Sequence, residues 1–365
     1  MTCESHSVPL PSEKWTTLNS QHITHHLNQL AALSNQTQAQ APHSSVQLST
    51  ALPPISDIPI HIYDIVDSTN TVLWQHIRRS TDPSQANPSQ AWQEGQVAIA
   101  RQQSAGRGQW GRQWQSSLGG LYLSMALRPN CPTTVAAQIT LSVVVGVAIA
   151  LRLCHIPVWI KWPNDLVVPS TILAGPQPNH LPTLYKLGGI LTETRIQGQT
   201  VSHAVVGLGL NGANPVPPQG INLQTLWSKI ASNPTDSDRH LPLTPCLMSL
   251  NGIAAIAIWG IRSGWQRWQQ QGIDPIIRDY NTFLSHRDQS IQVKYQGQSV
   301  QSQSVQGKIL GVSASGHLRL RPTSLSSPIQ VNSSDVTGTS SLPQSSSQEI
   351  LLTPGSVHLG YQLNP

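Results

Sequence analysis

The run ITLSVVVGVAIALRLC at 139–154 limits the folds open to this chain more than any other stretch. It is apolar apart from Thr140, Ser142 and Arg152 and presents small residues along one face. It falls short of the roughly 20 apolar residues that a bilayer span needs. A helix sunk in a protein core is therefore expected, and the neighbouring stretches supply partners for it. HIYDIV at 61–66 and LYLSMALRP at 121–129 alternate as strands do, and GQVAIARQQ at 95–103 reads as a buried strand. Further strands are predicted at 158–168 (broken by a turn), at 186–196 and at 203–215. Asp67, Ser68 and Thr69 offer capping oxygens to a helix over 67–77. Two more helices are predicted near 246–270 and 274–284. The expected class is mixed α/β, a sheet flanked by helices.

Composition shifts at both ends. Residues 1–55 are rich in Gln, Ser, Thr, His and Pro and read as a flexible extension with one short helix near 27–33. The catalytic part is assigned to 56–285. Residues 286–365 carry SIQVKYQ, SVQGKILGV and HLRLRP between Gly and Ser turns, the pattern of a small β-barrel, with a Ser-rich loop at 323–348.

Charge narrows the function classes. Charged residues make up 10% of the 365 and the formal net charge is +5. Nucleic-acid binding calls for Lys and Arg gathered on one face. Here Lys14, Lys161, Lys186, Lys229, Lys294 and Lys308 are scattered, so neither a nucleic-acid nor a membrane partner is expected. Cys3, Cys131, Cys154 and Cys246 form no CxxC pair, which leaves zinc and redox motifs without support. No signal peptide is seen, and a cytoplasmic protein is expected.

Four segments carry the chemistry. GRGQWGRQW at 106–114 places Arg107 and Arg112 among Gly106, Gly108 and Gly111, beside Trp110 and Trp114. Glycine lets backbone N–H groups approach an anion, arginine offers forked donors, and tryptophan offers a face for a ring. On composition alone, a solvated turn is an equal alternative. It is neither a GxxxxGK[ST] loop nor a GxGxxG fingerprint. KWPND at 161–165 projects Lys161, Asn164 and Asp165 from a proline turn, suited to phosphate and magnesium or to an Asx cap on its own backbone. KLGGILTE at 186–193 starts on Lys186, with Gly188 where a ligand or another backbone approaches. GLGLN at 207–211 puts Gly207, Gly209 and Asn211 at a strand end. Each of the last two also fits an ordinary strand edge or exit.

Together, in this order, the segments resemble the catalytic domain of the biotin–protein ligases, over about 60–285 and more weakly over the C-terminal β module. The resemblance implies a fold like the class II aminoacyl-tRNA synthetases, followed by an SH3-like barrel. It implies an ATP-dependent ligase that makes biotinyl-5′-adenylate and passes biotin to a lysine of a biotin carboxyl carrier protein, with acetyl-CoA carboxylase the commonest owner of that carrier. By the same resemblance, Ser68, Thr69, Asn70, Gln103, Gly106, Arg107, Gly108, Gln109, Lys186 and Gly188 serve biotin. Arg112, Trp114, Lys161, Asn164, Asp165, Gly207, Gly209 and Asn211 serve ATP and the adenylate. Lys186, Arg107 and Asp165 are the catalytic candidates, and Asp165 the magnesium ligand. No winged-helix pattern precedes residue 60, which argues against the DNA-binding branch. Gln109 stands where the family often has arginine, and Trp110 is an added aromatic. Residues 167–185 exceed the usual turn and read as a surface insertion. A lipoate–protein ligase is the nearest rival, and a non-catalytic nucleic-acid or scaffold protein the rival from another class.

Overall fold

A computed structural model describes residues 12–40, 58–81, 92–175, 182–232, 248–295, 303–324, 349–357 and 359–361. In chain order the elements are α1 (Ser20–Gln40), β1 (Ile60–Val66), α2 (Thr69–Thr81), β2 (Val97–Gln103), β3 (Leu121–Leu127), β4 (Cys131–Pro132), α3 (Ala137–Leu153), β5 (Trp159–Lys161), β6 (Asp165–Pro169), α4 (Ser170–Ala174), β7 (Leu184–Gln197), β8 (Thr200–Leu210), α5 (Leu223–Ser232), α6 (Leu250–Gln271) and α7 (Asp274–Phe283). β9 (Ser290–Tyr295), β10 (Gln303–Val312), β11 (Leu318–Ser324) and β12 (Ile350–Leu352) follow.

The first eight strands make one mixed sheet in the order β1-β2-β3-β8-β7-β6-β5, with β4 added on β8. β1 and β2 run parallel, and the other pairs are antiparallel. The last four strands form an antiparallel sheet in the order β12-β11-β10-β9.

The apolar run is α3, and it lies in the core with Val143, Val144, Val145 and Val147 fully buried. Burying each such side chain stabilises by about 1.5–3 kcal/mol. With the turn before it, the helical stretch Thr133–Leu153 is long and apolar enough to cross a membrane, so length alone did not exclude a span. Its packing explains the composition instead. A Cβ on Gly146 would overlap the Gly260 carbonyl, and one on Gly264 would overlap that of Ser142. Glycine at this crossing lets the α3 and α6 backbones touch, and α6 is itself buried along most of its length. The buried Arg267–Asp279 ion pair then ties α6 to α7.

Two sequence expectations are corrected. Residues 12–40 are not a loose tail with a helix confined to 27–33. Helix α1 is 21 residues long, and it buries Ile23, Leu27 and Leu30, with Trp15 and Leu18 ahead of it. Asn251 on α6 accepts from the Asn19 backbone N–H at 2.8 Å and donates to the Thr17 carbonyl at 3.2 Å. The i, i+4, i+7 spacing of three apolar residues supplies the buried stripe inside a polar sequence. Second, 167–185 is not all insertion. β6 continues to Pro169, β7 begins at Leu184, and Val167, Val168 and Leu184 are fully buried. The β6–β7 ladder holds apart from one bulge after Leu166. Residues 1–11, 41–57 and most of the Ser-rich 323–348 lie outside the described residues, as does Cys246.

Candidate functional site

The cleft opens on the face of the large sheet where remote pieces of chain meet. Its walls are the start of α2, the 106–114 loop, the turn between β5 and β6, and the facing residues of β7 and β8. Most of the sequence-predicted residues line it: Ser68, Thr69, Asn70, Gln103, Arg107, Gly108, Gln109, Arg112, Trp114, Lys161, Asn164, Asp165, Lys186, Gly207 and Gly209.

One end is neutral and built from hydrogen bonds. The Thr69 backbone N–H donates to Gln103 Oε1 at 2.9 Å, and Gln103 Nε2 donates to Ser116 Oγ at 2.8 Å. Thr69 Oγ1 and Ser124 Oγ are 2.7 Å apart, and Ser124 Oγ donates to Asn70 Oδ1 at 2.6 Å. Asn70 Nδ2 donates to Glu193 Oε2 at 2.9 Å. Such a chain fixes the rotamers of Thr69, Asn70 and Gln103, which is what recognition of a polar heterocycle requires. Ser124 and Glu193 were not predicted as site residues. The signal for Ser124 was a hydroxyl inside the otherwise apolar strand LYLSMAL; Glu193 closed a motif already noted.

The glycine–arginine loop is a small hairpin. Trp114 N donates to the Gly106 carbonyl at 2.9 Å, and Gly108 N to the Arg112 carbonyl at 2.7 Å. At its tip Trp110 takes a left-handed conformation, φ 59° and ψ 35°, and is 61% exposed. Its ring packs against Gly355, where a Cβ would overlap it. Arg107 reaches back to Glu193, with Nη1 2.9 Å from Oε1.

The other end is cationic. Lys186 Nζ sits 2.6 Å from Asp165 Oδ1, and Lys161 Nζ sits 3.7 Å from Oδ2. Trp114 offers its ring to Lys186 at 5.2 Å, below the level of Gly209, where any Cβ would strike the indole. Burial pulls the Lys161 ammonium below the ordinary lysine range; Asp165 opposes this, while Lys186 and Arg112 add to it. A site whose like charges are held close by the protein is prepared for an anion.

Three predicted residues stand behind the wall. Gly106 is hemmed by Ser116 Oγ and the Trp114 carbonyl, and Gly188 lies against the Gly209 carbonyl. Asn211 is 6% exposed and donates to the carbonyls of Lys186 at 3.3 Å and Ile221 at 3.2 Å, so it shapes the backbone that carries Lys186. Asn164 lines the cleft but spends its amide on the Ile190 carbonyl. The donor set does not fit a resident magnesium ion. Asp165 is the one carboxylate among the described residues lining the main cleft, and two ammonium groups and the Tyr361 hydroxyl already surround it. The same engagement argues against Asp165 as a proton acceptor.

The turn holding Lys161 and Asp165 is anchored from outside the large sheet. Trp162 Nε1 donates to the Gly316 carbonyl at 2.9 Å, and the Tyr280 hydroxyl to the Pro163 carbonyl at 3.0 Å.

Residues 63–211, the span holding all four motifs, match the sequence profile of the biotin/lipoate A/B protein ligase family. Over this span the chain is similar to that family. The bifunctional ligase/repressor BirA of Bacillus subtilis is 31% identical over 148 residues, 39% of this chain and 41% of that protein. BirA of Escherichia coli is 29% identical over 222 residues, 60% of this chain and 57% of that protein. The chain thus spans about half the length of these curated relatives. An arginine-to-glycine mutant of biotin protein ligase from Aquifex aeolicus, solved in complex with biotin, superposes with a TM-score of 0.52 at 18% identity, over 82% of this chain and 97% of that one. At that identity the likeness establishes the fold, a mixed sheet flanked by helices.

Proposed function

We propose that this protein joins biotin to ATP, giving biotinyl-5′-adenylate and pyrophosphate, and transfers the biotinyl group to a lysine of a biotin carboxyl carrier domain, that of acetyl-CoA carboxylase being the first candidate. The observation that carries the reading is the position of Lys186. Its ammonium stands where the hydrogen-bonded pocket meets the cationic end with Trp114 and Lys161.

The chemical difficulty is that a carboxylate must attack a phosphorus already surrounded by negative oxygens. Preorganised positive charge offsets that repulsion and holds the reactants in line. In this reading Thr69, Asn70 and Gln103 hold the ureido ring of biotin. Arg107 and Lys186 flank the carboxylate and the α-phosphate. Lys161 and Arg112 take the departing phosphates, and Trp114 lies along the nucleotide. Magnesium arrives with ATP as part of the substrate. In the second step the neutral acceptor amine attacks the acyl carbon, AMP departs with the electron pair of the broken acyl–oxygen bond, and the amine's proton passes to solvent. Asp165 organises the two lysines throughout. We place the activity in the cytoplasm, where its carrier proteins are made.

The test is biotin-dependent exchange of pyrophosphate into ATP, with lipoate as the competing acid. Exchange with lipoate and none with biotin would replace this reading by the lipoate ligase. No exchange with either acid would remove it.

A further inference from the structure

Asp165 has a third partner that none of the motifs supplies. The Tyr361 hydroxyl donates to Asp165 Oδ2 at 3.0 Å, and the Tyr361 ring lies under Lys161 Nζ, 4.5 Å from ring centroid to nitrogen. The tyrosine is held there independently of its hydroxyl. Its carbonyl accepts from the Leu184 N–H at 2.6 Å, and its ring packs with Trp159, Val167 and Leu184. Val357 and Leu359, from the same stretch, are buried and line the cleft.

A carboxylate has two oxygens, and here they are divided. Oδ1 is taken by Lys186 at 2.6 Å. Oδ2 has two candidate donors, the neutral hydroxyl at 3.0 Å and the Lys161 ammonium at 3.7 Å. We propose that Tyr361 is a positioning residue for the anion site: it satisfies Oδ2 with a neutral donor and gives Lys161 an aromatic face, so that Lys161 keeps its charge available to a phosphate. Without the hydroxyl, Oδ2 draws Lys161 into a close ion pair, and that charge is spent inside the protein. The arrangement rests on the cleft being a nucleotide site, as proposed above.

The experiment compares full-length wild type with Tyr361→Phe, which keeps the ring and its packing. Inorganic pyrophosphate and biotin are each titrated by calorimetry, and ATP–pyrophosphate exchange is run on the same preparations. Pyrophosphate affinity is expected to fall about tenfold in Tyr361→Phe, with biotin affinity and melting temperature unchanged. In an Asp165→Asn background the Tyr361→Phe change should have no further effect, because the hydroxyl acts through the carboxylate. A merely structural tyrosine would move biotin affinity and melting temperature together. Unchanged pyrophosphate affinity in Tyr361→Phe, an undiminished effect in the Asp165→Asn background, or a wild type that does not hold pyrophosphate would each overturn the proposal. Pyrophosphate binding without biotin-dependent exchange would instead leave Tyr361 in its role and remove the ligase reading.

Discussion

Arg107 Nη1 lies 2.9 Å from Glu193 Oε1, so the loop arginine is docked on strand β7. Its other nitrogen donates to Glu193 Oε2 at 3.1 Å and Thr71 Oγ1 at 3.3 Å. Arg107 is 43% exposed, and an ion pair so open to water contributes at most about 1 kcal/mol. Glu193→Gln is therefore expected to lower the melting temperature by no more than about 4 °C. Arg107→Ala should instead act on the ligand. Biotinyl-adenylate is expected to escape faster while ATP binds nearly as before. Calorimetry finding the same adenylate affinity in Arg107→Ala would count against its placement.

Lys186→Ala is expected to abolish adenylate formation with the fold intact. The side chain is 28% exposed, and its removal leaves Asp165 with Tyr361 and Lys161 as partners. Pyrophosphate release reads the chemistry and circular dichroism reads the fold. Normal turnover in the variant would contradict the assignment.

How much of this was readable in the sequence follows from how local each feature is. The apolar run, the strands around it and the four motifs are contiguous, so spacing alone placed α3, β7, β8 and the residues they carry. The resemblance to the biotin–protein ligases, not the local pattern, assigns Asn211 to the nucleotide. Its rotation toward the Lys186 carbonyl depends on the loop that brings Ile221 beside it. Glu193 belongs to a visible motif, but its partners Asn70, Trp74 and Arg107 arrive from two other elements. Tyr361 reaches Asp165 across 196 residues, and no period or spacing encodes such a contact. Helix α1 is longer than the stretch at 27–33 for another reason: its apolar stripe is only three residues deep within a run of Gln, Ser and His that resembles a linker.

Two glycines of β8 separate the ends of the cleft by steric means. A Cβ on Gly207 would overlap Asn70 Oδ1, and a Cβ on Gly209 would stand 2.5 Å from Trp114 Cε2. Each alanine variant must displace one named side chain, at a cost of about 1–3 kcal/mol for overpacking. Gly207→Ala is expected to weaken biotin more than ATP, and Gly209→Ala to weaken ATP more than biotin. Calorimetry on the pair decides. Equal losses in both variants would show that the two ends are not separate subsites.

Acid should loosen the underside of the site through His286. The residue is 1% exposed, and its Nδ1 shares a hydrogen bond with Ser285 Oγ at 2.9 Å. Burial pushes the imidazole from its usual 6.5 down to about 4; the Lys161 ammonium adds to this, and the Gly360 backbone opposes it. The sign follows from which state takes the proton. Above pH 6.5 both the folded and the unfolded chain carry neutral His286, and the group adds no pH dependence. Between 6.5 and 4 the unfolded chain is protonated while the folded one resists, so stability falls as pH falls, by about 3 kcal/mol across the window. His76 and His203, also lowered chiefly by burial, steepen the same limb. Urea denaturation at pH 7 and pH 5 measures the loss, and His286→Gln should remove the larger part of it. An unchanged difference between the two pH values in that variant would show that the acid sensitivity arises elsewhere.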